Sequence, residues 1–113
     1  MKPIEEFIQL LSEKKVQRIM APDLMYGLIS VAEKGNDKPL IEAIALLKEK
    51  LSVLEAIDAK FEKTMKDIVK DFELGVITVK SEERKNKMKE LRQMEKMEAK
   101  DLEEALTKSL NNT

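Results

Sequence analysis

Between Pro39 and Gly75 the chain runs without a glycine or a second proline. Counted from Leu40 in alternating steps of four and three, the positions are Leu40, Ile44, Leu47, Leu51, Leu54, Asp58, Phe61, Met65, Ile68 and Phe72. Nine of these ten are apolar. This heptad seam predicts one helix over 39–74 with coiled-coil-like packing along it. At 1.5 Å per residue such a helix is roughly 54 Å long. A helix of that length needs a partner along its seam, from its own chain or from another. The only polar member is Asp58, which admits two readings. A lone polar seam residue sets register or oligomer state; alternatively Asp58 faces solvent and Ile57 turns inward.

The seam ends at DFELGVITVKSEE, residues 71–83. Gly75 suits the left-handed position after a helix, and Val76 or Ile77 the hydrophobic contact that accompanies it. Thr78 or Ser81 suits the cap of a new helix, with Glu82 and Glu83 in its first turn. Four β-branched or apolar residues with no second strand to pair with do not make a sheet. The segment therefore reads as a corner near 75–80. It folds 39–74 against a last helix at 81–110 that carries Met88, Leu91, Met94, Ala99, Leu102, Ala105, Leu106 and Leu110 on one side, with Met97 off that stripe. Residues 80–92 are net basic and 93–113 net acidic, so an antiparallel hairpin sets Arg84 and its neighbours across from Asp67, Asp71 and Glu73.

Ahead of the hairpin, Pro3 and the spacing of Ile4, Phe7, Ile8 and Leu11 predict a helix over 3–20 that bends after Ser12. Pro22, Asp23 and the apolar set Leu24, Met25, Leu28, Ile29 and Ala32 predict another over 22–34, stopped by Gly35-Asn36-Asp37, with Asp37 capping the next helix. The expected fold is all-α. One domain spans 1–113, with short helices in 1–37 and a long antiparallel hairpin in 38–110, completing a four-helix-type bundle.

Composition narrows the chemistry. The chain has 113 residues, 38% charged and 4% aromatic, with formal net charge −1. That balance suits solvated helices around a thin aliphatic core, and it is no electrostatic magnet for nucleic acid. There is no Cys and no His. Disulfides, thiolate metal sites, cysteine nucleophiles and imidazole bases are excluded. The serines lack a base and a glycine-flanked elbow. No glycine-rich phosphate loop occurs, and Asp67 and Asp71 lack the Glu-x-x-His partners of bundle metal sites. No catalytic residue, metal or cofactor is expected. The opening MKPIEEFIQLL makes a poor signal peptide, and no apolar run approaches ~18–20 residues, so a cytoplasmic location without membrane contact is expected.

The segment LGVITVKSEERKNKMKEL, residues 74–91, resembles the corner of short bacterial helical-hairpin oligomerisation domains. The size and four-helix plan resemble small bacteriocin-immunity proteins. These resemblances imply a fold and carry no function across. The Lys/Glu/Ile-rich, Cys-free style suits a small accessory protein of a phage, a mobile element or a low-GC bacterium.

The expected function is protein binding without catalysis, as an adaptor, assembly chaperone or inhibitor of a larger protein. Self-association, as a homodimer, is expected through Leu47, Leu51, Leu54, Asp58, Phe61, Met65 and Ile68. Met88, Met94 and Met97 are candidate partner contacts, because thioethers fill irregular surfaces. The alternative is a nucleic-acid-associated regulator whose phosphate contacts are Arg84, Lys85, Lys87 and Arg92.

Overall fold

The computed structural model describes residues 2–75 and 79–112, the side chains of 79–81 excepted. Among these residues there are five helices: α1 (Pro3–Leu11), α2 (Lys14–Ile19), α3 (Pro22–Glu33), α4 (Lys38–Glu73) and α5 (Val79–Asn111). No strand occurs among the described residues. The molecule is elongated, 61 × 26 × 18 Å, and α4 packs along α5.

The helix boundaries follow local chemistry. The expected 3–20 helix is two helices. Ser12 Oγ donates to the Gln9 carbonyl at 2.6 Å, and Gln17 Nε2 donates to the Leu11 carbonyl at 2.8 Å. Two side chains thus bond with the backbone where α1 stops, and the chain turns there. Gly35, at φ 97°, closes α3: its N–H bonds to the Ala32 carbonyl and the Asn36 N–H to that of Val31. This is the paired arrangement of a Schellman end, which only a residue tolerant of positive φ completes cheaply. Asp37 stands at the N-cap of α4 as expected, but its side chain makes no capping bond. Asn36 Oδ1 instead accepts from the Lys38 N–H at 3.3 Å. Gly75 also takes a positive φ, 73°, and its N–H bonds to the Phe72 carbonyl. The expected roles of Val76, Ile77 and Thr78 at the corner lie outside the described residues, as does the side chain of Ser81.

The core gathers at one end. Phe7, Val16, Ile19, Met20, Leu28, Leu40, Ala43, Ile44, Leu47, Leu54, Ile57, Leu91, Leu102 and Leu106 are buried in one cluster. Ile8, expected on the apolar stripe of α1, is exposed. Gly27 has a packing reason: a Cβ there would sit 3.2 Å from Leu110 Cδ1, so α3 and α5 approach closely where the glycine lies.

The heptad seam holds only part-way. Up to Leu54 the counted positions are buried or half-buried. Beyond it the enclosed residues of α4 are Ile57, Thr64 and Asp71, each one position before the counted Asp58, Met65 and Phe72. Neighbours explain the shift. In the first half, α1, α2 and α3 pack on α4 together with α5, and a wide face is covered: Ala43 and Ile44 are both buried. Past the end of α2 only the flank toward α5 stays enclosed. From there α4 and α5 continue as a two-helix arm.

Candidate functional site

The transition from bundle to arm is marked by one cluster of charges. Arg18, at the end of α2, donates from Nη2 to both carboxylate oxygens of Asp58, at 3.0 and 3.1 Å. Its Nε lies 2.9 Å from Glu95 Oε1. One guanidinium thus clasps α4 and α5 from the last turn of α2, using its fork of donors. Asp58 is half-buried with Ile57 turned inward, and the polar seam residue is held by Arg18 of its own chain. Arg18, Ile57, Asp58, Phe61, Leu91, Arg92 and Glu95 line one cleft at this point.

Other cross-links fix how α4 meets α5. Glu42 accepts from Ser109 Oγ at 2.7 Å near one end. Lys50 Nζ lies 2.5 Å from Glu98 and 3.5 Å from Asp101. Partial burial pulls the Lys50 ammonium down in pKa, but the hydrogen bond and charge of Glu98, with Asp101, outweigh it and the pKa rises. Near the other end Arg84 Nε bonds to Asp71 Oδ2 at 3.1 Å, with Asp67 Oδ2 3.8 Å from Nη1. The Asp71 hydrogen bond raises the Arg84 pKa further. α1 and α2 add the pairs Glu6–Lys48 and Lys15–Glu55 on α4.

Along the arm most apolar side chains of α4 are exposed, Ile68 staying half-buried. Met65 is 43% exposed, Val69 53%, Phe72 76% and Leu74 67%. Met65, Val69 and Phe72 are spaced four and three apart, so they share one face of α4. Phe61, which lines the cleft below Arg18, lies four residues before Met65 and begins the same stripe. The inward face of the arm is more polar: Thr64 bonds back to the Lys60 carbonyl, and Asp71 is held by Arg84.

The candidates from the sequence separate accordingly. Leu47 and Leu54 are fully enclosed within this chain. Leu51, Phe61 and Ile68 are half-buried, and Met65 is open. Met94 does not belong to the core stripe of α5: it is exposed, as are Met97 and Ala105, whereas Met88 is half-buried. At about 100° per residue, Glu95 and Glu98 take the inward positions that Met94 was expected to share, because Arg18 and Lys50 are there to meet them. The four candidate phosphate contacts do not form one surface. Arg84 is committed to Asp67 and Asp71. Lys87 shares a flank with Glu83 and Glu90 by its spacing, while Lys85 and Arg92 lie seven apart on another flank, both exposed.

Sequence reasoning passes over Arg18, Lys50 and Val69. Arg18 has a signal in the single carboxylate interrupting the seam, which calls for a cation somewhere. Val69 has one in its i+4 relation to Met65.

No protein-family model, curated protein sequence or solved structure matches the chain. The site therefore stands on its own geometry. Among the described residues no cluster of acidic side chains suits a metal ion, no helix is long and apolar enough to cross a membrane, and no buried side-chain nitrogen or oxygen lacks a hydrogen-bond partner.

Proposed function

We propose that the chain is a non-enzymatic protein–protein interaction module, of the adaptor, assembly-chaperone or inhibitor kind. In this reading it is a single domain. α4 and α5 form a long antiparallel, coiled-coil-like hairpin, and the short helices complete a four-helix-type bundle at one end. The bundle is the scaffold and the arm is the contact surface. The observation that carries the reading is the outward stripe Met65, Val69 and Phe72, exposed beside an inward face that holds Thr64 and Asp71. Fully burying one such side chain contributes about 1.5–3 kcal/mol, so a stripe left open is costly unless another surface covers it.

A homodimer through the arms is the second reading, favoured because Met65 and Phe72 continue the heptad register of the seam. It would use the distal part of the seam, since Leu47 and Leu54 are enclosed. Light scattering over a range of concentrations, on the parent chain and on Phe72→Ser, tests both. A species that dissociates in the variant supports the dimer. A monomer in both leaves the stripe for a different protein. A stable oligomer indifferent to Phe72→Ser and Met65→Ser removes the arm from the account.

A further inference from the structure

The apolar stripe of the arm has a basic border. Lys85, Lys89, Arg92 and Lys96 recur on α5 at four, three and four residues, which places them along one flank of the helix. All four are exposed, and none makes an ion pair among the described residues. The side they occupy is fixed by the cleft beneath Arg18, where Arg92 of α5 and Phe61 of α4 line the same space. From Phe61 the apolar stripe leads along α4 through Met65 and Phe72. From Arg92 the basic stripe leads along α5 through Lys89 and Lys85. The two rows thus run side by side, away from the bundle.

The same side of the bundle is already covered by a helix. α1 and α2 lie along α4 there, as the pairs Glu6–Lys48, Lys15–Glu55 and Arg18–Asp58 show. α1 is itself amphipathic, with Phe7 buried and Glu5 and Glu6 in its first turn. Its cover ends with α2 at Arg18, and the two rows of exposed side chains go on without it. We infer that this face of the arm, apolar along α4 and basic along α5, docks an acidic amphipathic helix of a partner protein, in line with the path of α1 and α2. The inference rests on the interaction-module reading and names its partner class. Charge complementarity selects this occupant. A second copy would bring its own four cations toward these. A nucleic-acid backbone would satisfy the cations and leave Val69 and Phe72 in water.

Three designed peptides test it against the full chain by fluorescence anisotropy. The first is an amphipathic helix with a leucine face and glutamates elsewhere, the second replaces its glutamates by lysines, and the third keeps the glutamates and replaces its leucines by serines. The first peptide is expected to bind, more weakly as salt rises, and the others not. Reversing three charges (Lys85→Glu, Lys89→Glu, Arg92→Glu) is expected to weaken it by about tenfold or more. Met65→Ser with Phe72→Ser is expected to abolish it while circular dichroism stays unchanged. Equal binding of the lysine peptide, or indifference to charge reversal, overturns the acidic partner and leaves the module reading standing. Tighter binding of a duplex DNA oligonucleotide, or a dimer that Phe72→Ser dissolves, overturns it in favour of those occupants. Absence of binding by every peptide, with a monomeric chain, overturns the inference together with the arm as a contact surface.

Discussion

The two halves of α4 share one apolar periodicity and meet different fates. From Leu40 to Leu54 most of its apolar residues are enclosed among four other helices, and from Met65 to Leu74 all but the half-buried Ile68 are exposed. Composition separates them in part, with four charged residues among the fifteen of 40–54 and five among the ten of 65–74, yet both keep apolar residues at helical spacing. Neighbours do the rest. The covering helices stop at Arg18, and only the flank facing α5 remains buried past that point. Hydrophobic periodicity states which face of a helix wants to be covered. It does not state how far along the helix the cover reaches.

Substitutions that attack each half separately should reveal this difference. The largest effect is expected from Leu54→Ala, which opens a cavity in the fully packed part and should cost about 2–5 kcal/mol in a urea titration. Next comes Glu98→Gln, which leaves the Lys50 ammonium, 11% exposed in its side chain, without its nearest carboxylate. A loss of about 1–2 kcal/mol is expected from a partly buried charged hydrogen bond. The same pair gives a pH dependence. The Lys50 pKa is raised above its ordinary 10.5, so its contribution is complete below that value and is lost as pH rises through the higher folded pKa. Urea midpoints measured on the alkaline side should fall more steeply in the parent than in Lys50→Met. Arg18→Ala is smaller. Arg18 and Asp58 are both more than a third exposed, so about 0.5–1 kcal/mol is expected, with faster amide exchange at the start of the arm as the more telling readout.

Much of the fold is legible because helix punctuation is local. Pro3, Pro22 and Pro39 open helices, Gly35 and Gly75 close them at positive φ, and the bend after Ser12 falls where the apolar pattern thins. The pairing of Arg84 with Asp67 and Asp71 also follows from charge alone. The site is less legible, for a physical reason. A seam counted at fixed spacing treats the helix as having one neighbour throughout, so it assigns Met65 and Phe72 inward and leaves out Thr64 and Asp71. The same assumption puts Met94 in the core and gives no part to Glu95 and Glu98, whose place depends on cations from other helices. Asp58 shows the limit most plainly: its partner lies forty residues earlier in the chain, and nothing in the local sequence points to it.

The arm should therefore tolerate what the bundle does not. The most direct measurement compares thermal unfolding of Leu54→Ala with that of the triple variant Met65→Ser, Val69→Ser, Phe72→Ser. Leu54→Ala is expected to lose roughly 10 °C or more in Tm, and the triple variant to stay within about 1 kcal/mol of the parent because its side chains are largely exposed already. A triple variant as destabilised as Leu54→Ala would contradict it, showing that the stripe belongs to the chain's own packing and is not held open for another protein.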